Sequence, residues 1–229
     1  MVRQSRFVCT LLRMVLFATL TRLFSLAGIR IGHIVGSPAS FFSGGSVMTP
    51  LAGVFGSVWE CAFISLVNAV LVLWQGTMLH GLHVTTYGVP SFFAALYWAR
   101  PSFWTRFFVP AACVFLFWAS PIGFAAFPYA LYWFIPMMLY LFGAEAVYFN
   151  ALGSTFVAHA VGSVISLYVQ PQTAAIWRAL IPTVAWERLL IAGWMVLVYT
   201  AAYFGYCAWQ RWGRDFMCRL GASEGVADQ

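Results

Sequence analysis

The stretch NALGSTFVAHAVGSVISLYV, residues 150–169, has twenty residues, none of which is Arg, Lys, Asp or Glu. Because a helix needs about 20 mostly apolar residues to cross a bilayer, this stretch predicts a membrane-spanning helix at 149–170. Six further apolar runs predict helices of the same kind at 7–29, 50–74, 84–98, 105–120, 122–143 and 183–208. The run 84–98 is the shortest and carries Pro90 near its middle, which favours a short or re-entrant helix there.

Composition extends this interpretation to the whole chain. Of the 229 residues, 62% are hydrophobic and 8% are charged. A soluble domain cannot bury that much apolar surface, and no polar interval is long enough to fold separately. The predicted fold class is therefore all-α, a polytopic transmembrane bundle of about six helices in one domain, 1–220. The small polar residues 221–229 predict a disordered C-terminal tail.

The basic charge of the chain comes from twelve arginines, with no lysine, against six acidic residues. Single arginines between apolar runs are typical of membrane topology and do not indicate nucleic-acid binding. They concentrate near the two ends of the chain, as Arg3, Arg6, Arg13, Arg211, Arg214 and Arg219. Both termini are therefore predicted in the cytoplasm, which requires an even number of passes. Either 84–98 does not cross, or it crosses and the stretch 105–143 is divided differently.

Polar groups within the apolar runs are the candidates for function, because a charged side chain inside lipid costs on the order of 2.5–3.5 kcal/mol by insertion scales. The predicted substrate-binding residues are Glu60, Asn68, Glu145, Asn150, His159, Trp186 and Glu187. Glu60 and Asn68 are eight residues apart and lie on nearly one helical face, and His159 offers both a donor and an acceptor. The structural alternative is hydrogen bonding between helices, or, for Glu187, an ion pair with Arg178.

Other patterns accompany these candidates. Small residues around His159 at three- and four-residue spacing favour close packing on another helix. The aromatic-rich stretch YALYWFIPMMLYLF, 129–142, either furnishes a stacking wall for a flat ligand or belongs to the core and the interfaces. The five cysteines contain no CxxC pair, and Gly81 favours a loop between His80 and His83. No metal or other cofactor is therefore expected.

The stretch FFSGGSVMTPLAGVFGSVWECAF, 41–63, resembles the substrate-binding subunits (S-components) of energy-coupling factor transporters, the bacterial vitamin-uptake systems. The resemblance lies in Pro50, Leu51, Ala52, Gly53, Gly56 and Glu60. It implies a subunit of the bacterial cytoplasmic (inner) membrane that binds a small vitamin-like molecule and works with a transmembrane coupling subunit and ATPase subunits. It also implies a docking face on the first helix. There, Ala18, Thr21 and Ser25 stand in place of the family's usual Ala-xxx-Ala patch.

Two other function classes remain open. A structural or assembly subunit would use every polar residue for packing. An intramembrane hydrolase would activate water with glutamates and histidines, but the paired glutamates of EExxxR and the GxSG motif are absent from the sequence, so no enzymatic activity is expected. No GxxxxGK[ST] motif occurs either, so coupling to ATP would require partner chains.

Overall fold

The computed structural model describes residues 89–170 and 172–224, together with Thr19, Thr49, Pro50 and Val54, and it describes side chains up to residue 211. All regular structure in these residues is helical, which confirms the all-α prediction for this part of the chain. The predicted spans 7–29 and 50–74 lie, apart from those single residues, outside the described residues.

The described part contains a run of helices joined by short connections. In chain order they are α1 (Val89–Ala99), a π-helical turn (Trp104–Phe108), α2 (Val109–Ala119), α3 (Pro121–Ala125), a 3-10 segment (Phe127–Trp133), α4 (Phe134–Leu141), α5 (Val147–Val169) and α6 (Ala174–Glu224). The predicted helices at 105–120 and 149–170 are confirmed.

One predicted segment differs from the structure at its start, and another is described only in part. Of the predicted run 84–98, residues 89–98 lie in α1 (Val89–Ala99), and 84–88 lie outside the described residues. The last helix begins at Ala174, nine residues before 183, and continues to Glu224. It therefore includes 221–224, the first four residues of the predicted tail, while 225–229 lie outside the described residues.

The predicted helix at 122–143 is three short pieces instead of one. Pro121 begins α3, Pro128 is the second residue of the 3-10 segment, and Pro136 lies in the first turn of α4. Each proline removes a backbone donor, so a continuous helix would lose hydrogen bonds at these points. Gly143, with a φ of 62°, follows α4 in the left-handed conformation that commonly ends a helix.

α5 lies at the centre of the described bundle, where it contacts α1, α2, the 3-10 segment, α4 and α6. Gly153 makes the approach of α1 possible, because a Cβ atom there would collide with the phenol of Tyr97. Ser154 Oγ donates to the carbonyl oxygen of Ala94 at 3.1 Å in the same contact. The predicted close packing of the small residues is confirmed at these two positions.

Hydrogen bonds and ring contacts define the two ends of the bundle. At one end, Tyr168 donates to the carbonyl oxygen of Leu116, and Arg178 donates to that of Ala125. At the other end, Arg106 donates to Asn150. Trp98 also stacks on Tyr199 there, with ring centroids 5.2 Å apart. Along α5, Asn150 and Tyr168 are 18 residues apart, or about 27 Å.

Two helices of the described part are long and apolar enough to cross a membrane, Val147–Val169 and Ala174–Arg211. The segments Val89–Ala99, Trp104–Ala119 and Phe127–Leu141 are apolar but shorter. α6 has 51 residues, which corresponds to about 77 Å of helix and exceeds the hydrocarbon thickness of a bilayer.

A buried polar cluster as candidate functional site

Glu187 and Arg188 form an ion pair inside the described bundle. Arg188 Nη2 lies 3.3 Å from Glu187 Oε2, and the two side chains are 11% and 7% exposed, in the order Arg188 and Glu187. Arg188 Nη1 also donates to Thr155 Oγ1 of α5 at 3.4 Å. The alternative of an ion pair between Glu187 and Arg178 was wrong. These two residues are nine positions apart on one helix and so point to opposite sides, and Arg178 donates to Ala125 instead.

His159 lies on the same face of α5 as Thr155, one turn further along the helix. The guanidinium of Arg188 lies close enough to His159 to interact electrostatically with its imidazole. The His159 Nε2 and Arg188 Nε atoms are fully buried and have no hydrogen-bond partner among the described residues. Because an unpaired buried polar atom costs about 1–3 kcal/mol, two in one place call for an explanation beyond packing.

Aromatic side chains lie against the imidazole of His159. The ring centroid of Tyr129 lies 5.3 Å from that of His159, and that of Trp133 lies 6.4 Å away. Tyr129 also contacts Trp177 of α6 at 4.8 Å, and its hydroxyl shares a 3.2 Å hydrogen bond with Ser163 Oγ. The indole Nε1 atoms of Trp133 and Trp177 have no hydrogen-bond partner in the described part of the chain.

We call the six polar residues of this site the core cluster: Tyr129, Thr155, His159, Ser163, Glu187 and Arg188. It combines a cation, a carboxylate, an imidazole and three hydroxyl groups, and it is lined by two tryptophans. Such a site can hydrogen-bond both donors and acceptors of a ligand and can stack against a flat ring.

The chain matches no protein-family model, no curated protein and no solved structure. The core cluster is therefore interpreted from its own geometry.

The structure brings together two of the predicted site residues, His159 and Glu187, and separates the others from them. Asn150 is nine residues from His159 on α5, so it points to the opposite face, about 180° away. Trp186 is 62% exposed and lies on the outside of α6. The Glu145 side chain is exposed, and its backbone carbonyl oxygen accepts from Asn150 Nδ2 at 3.0 Å.

Asn150 belongs to a second polar site, at the end of the bundle where Trp98 stacks on Tyr199. Arg106 Nη2 donates to Asn150 Oδ1 at 2.8 Å, and the guanidinium lies 4.9 Å from the centroid of the Tyr97 ring. Arg106 is 9% exposed. We call this group, Arg106, Asn150 and Tyr97, the Arg106 site.

The other predicted site residues lie outside the described residues. These are Glu60 and Asn68 and the docking residues Ala18, Thr21 and Ser25. The pair His80 and His83, at which no metal is expected, also lies there. Within the described ranges, no group of three His, Cys, Asp or Glu side chains could hold a metal ion.

The sequence did not single out Tyr129, Thr155, Ser163 or Arg188 as site residues. Tyr129 lies, with the lining residue Trp133, in the aromatic stretch 129–142, which we expected to form either a stacking wall for a flat ligand or part of the core and the interfaces. Thr155 and Ser163 are four residues on either side of His159, and helical periodicity alone could have selected them.

Proposed function

We propose that the protein is a multi-pass membrane protein that binds a small water-soluble molecule at the core cluster. The observation that carries this proposal is the buried Glu187–Arg188 ion pair beside His159, whose Nε2 has no partner among the described residues. Ionisable groups within membrane-spanning helices are rare because they are costly, and they commonly mark the path or the site of a substrate.

The depth of the core cluster supports this proposal. His159 is about 14 Å along α5 from Asn150 at one end of the bundle, and about 14 Å from Tyr168 at the other. A site midway between the two ends would lie near the centre of a bilayer. A water-soluble ligand needs polar partners there, because the surrounding helices and lipid provide none.

The distribution of arginines supports an orientation of the bundle in the membrane. Arg100, Arg106 and Arg211 all lie at or beyond the end of the bundle where Trp98 stacks on Tyr199. The positive-inside rule assigns this end to the cytoplasm. With α1 as a helix that does not cross, the predicted spans 7–29 and 50–74 would add two passes to the segments 104–119, 121–141, 147–169 and 174–211. Six passes would place both termini in the cytoplasm, as the sequence predicts.

The chemistry of the core cluster favours a flat, polar ligand with at least one acceptor or anionic group. Arg188 offers donors, Glu187 offers an acceptor, and Tyr129, Trp133 and Trp177 offer aromatic faces. Since His159 Nε2 and Arg188 Nε are completely enclosed, a ligand can reach them only after a neighbouring side chain moves. Binding should therefore change the environment of Trp133 and Trp177.

These properties fit a substrate-binding subunit for the uptake of a vitamin-like or other micronutrient molecule, and the resemblance of 41–63 to the S-components of energy-coupling factor transporters points the same way. In that role the chain would reside in the bacterial cytoplasmic membrane. It would work with a transmembrane coupling subunit and ATPase subunits, and would not itself be an enzyme.

Native mass spectrometry of the full chain, purified from its host membrane in mild detergent, tests this proposal. The wild type should retain a small molecule that R188Q and H159A lose. R178Q is the matched control, because Arg178 lies ten residues earlier on α6 and donates to the carbonyl oxygen of Ala125 at the bundle end. A wild type that carries no ligand, or an R188Q variant that binds like R178Q, would exclude the core cluster as the site and favour a structural or assembly subunit.

A further inference from the structure

Arg106 is a buried cation that lacks a carboxylate partner among the described residues. The one ion pair found there joins Glu187 and Arg188. Arg106 is 9% exposed, its Nη2 is hydrogen-bonded to the neutral amide of Asn150, and its Nε has no hydrogen-bond partner in the described part of the chain. A buried charge without a counter-ion is strongly unfavourable, so an anion from outside this part of the chain would stabilise it.

The guanidinium faces the start of α5, which adds a second positive group. Asn150 lies in the first turn of this helix, and Ala146, the N-cap residue, provides no side-chain hydrogen bond. The first backbone N–H groups of a helix have no partner within the helix and carry a partial positive charge. Arg106 and these N–H groups together offer the donors that a phosphate group prefers.

The surroundings of the Arg106 site indicate where that phosphate comes from. Phe103, Trp104 and Phe108, next to Arg106 in the chain, are 46%, 63% and 49% exposed. Tyr148 and Phe149, in the first turn of α5, are 40% and 41% exposed. Exposed aromatic side chains concentrate at the depth of the lipid headgroups. The phosphates nearest to Arg106 would therefore be those of lipids.

We propose that Arg106 and the N-terminus of α5 bind the phosphate of an anionic phospholipid headgroup in the cytoplasmic leaflet. Asn150 positions the guanidinium through its Oδ1, while its own Nδ2 is held by the Glu145 carbonyl oxygen. This inference rests on the proposed membrane location and does not depend on the ligand of the core cluster.

Lipid titration of the delipidated full chain, followed by native mass spectrometry, tests the inference. Phosphatidylglycerol should bind more tightly than phosphatidylcholine, and R106Q should weaken the binding of phosphatidylglycerol about tenfold. R100Q is the matched control, since Arg100 is exposed at the same end of the bundle, and it should bind within twofold of the wild type. E145Q should bind slightly more tightly, because it removes a carboxylate next to the site.

Two further variants cover the case in which R106Q does not fold. R106K keeps the charge but loses the planar fork, and N150A keeps Arg106 but removes its positioning partner, so each should weaken phosphatidylglycerol binding. Wild-type affinity in R106Q, or in both R106K and N150A, would overturn the proposal. Binding of inorganic phosphate at this site without binding of lipid would overturn the lipid as its source. Neither result would change the retention of a small molecule at the core cluster. The lipid proposal and the ligand proposal can therefore be disproved independently of each other.

Discussion

The two faces of α5 each lie against a buried arginine, and the two arginines are neutralised differently. Arg188, on the face of His159, pairs with Glu187 at 3.3 Å. Arg106, on the face of Asn150, donates to an amide oxygen and lies over the Tyr97 ring, and it has no carboxylate partner among the described residues. The difference follows position, because a cation deep within the bundle needs a carboxylate from the chain itself, whereas one at the bundle end can use an anion from outside.

Replacing Glu187 by leucine should have the largest effect on stability, because it leaves Arg188 buried without a carboxylate. We expect E187L to lower the free energy of unfolding by about 3–5 kcal/mol, the typical cost of removing one partner of a buried pair. Equilibrium unfolding in mixed detergent and SDS, followed by circular dichroism, measures the change. A loss below about 1 kcal/mol would mean that the pair is solvated and does not belong to the core.

The opposite face of α5 can be tested at Gly153. We expect G153V to destabilise the protein by about 1–3 kcal/mol, because the added side chain collides with Tyr97 and separates α1 from α5. Gly193 of α6 is the matched control, since no atom lies within 4 Å of a Cβ added there. G193A should stabilise the helix by about 0.5–1 kcal/mol. Equal effects of G153V and G193A in the same unfolding assay would contradict the close contact.

Ser154 gives the smallest expected effect on this face. S154A removes the hydrogen bond to the Ala94 carbonyl oxygen and should cost about 0.6 kcal/mol, the average for such bonds between membrane helices. Ligand retention at the core cluster should be unchanged in S154A, because Ser154 points away from His159. A loss of ligand without a loss of stability would show that the two faces are not independent.

The sequence predicts the helices whose apolar runs are uninterrupted, and it fails where local chemistry interrupts them. The run 149–170 has no charge and no proline, and α5 follows it closely. The run 122–143 is equally apolar, but Pro128 and Pro136 prevent a continuous helix, which hydropathy alone does not detect. α6 begins nine residues before the predicted start, and Arg178, which interrupts the apolar run, lies within the helix and donates to a carbonyl oxygen at the bundle end.

The candidate site is predictable in part for a similar reason. His159 and Glu187 are conspicuous as ionisable groups within apolar runs, and the structure brings them together. Asn150 is conspicuous too, but two and a half helical turns direct it to the other face. Arg106 lies at the start of a predicted helix, where an interfacial position is the ordinary expectation, so its burial depends on tertiary contacts with Tyr97 and Asn150 that the sequence does not reveal.

The central claim is that the Glu187–Arg188 pair serves ligand binding rather than packing, and the double variant E187L/R188M tests it most directly. Replacing both charges of a buried pair by apolar side chains is often neutral or stabilising, so the double variant should unfold no earlier than the wild type. It should nevertheless lose the small molecule that the wild type retains in native mass spectrometry. A double variant that keeps the ligand, or one as unstable as E187L, would contradict the account and assign the pair a structural role.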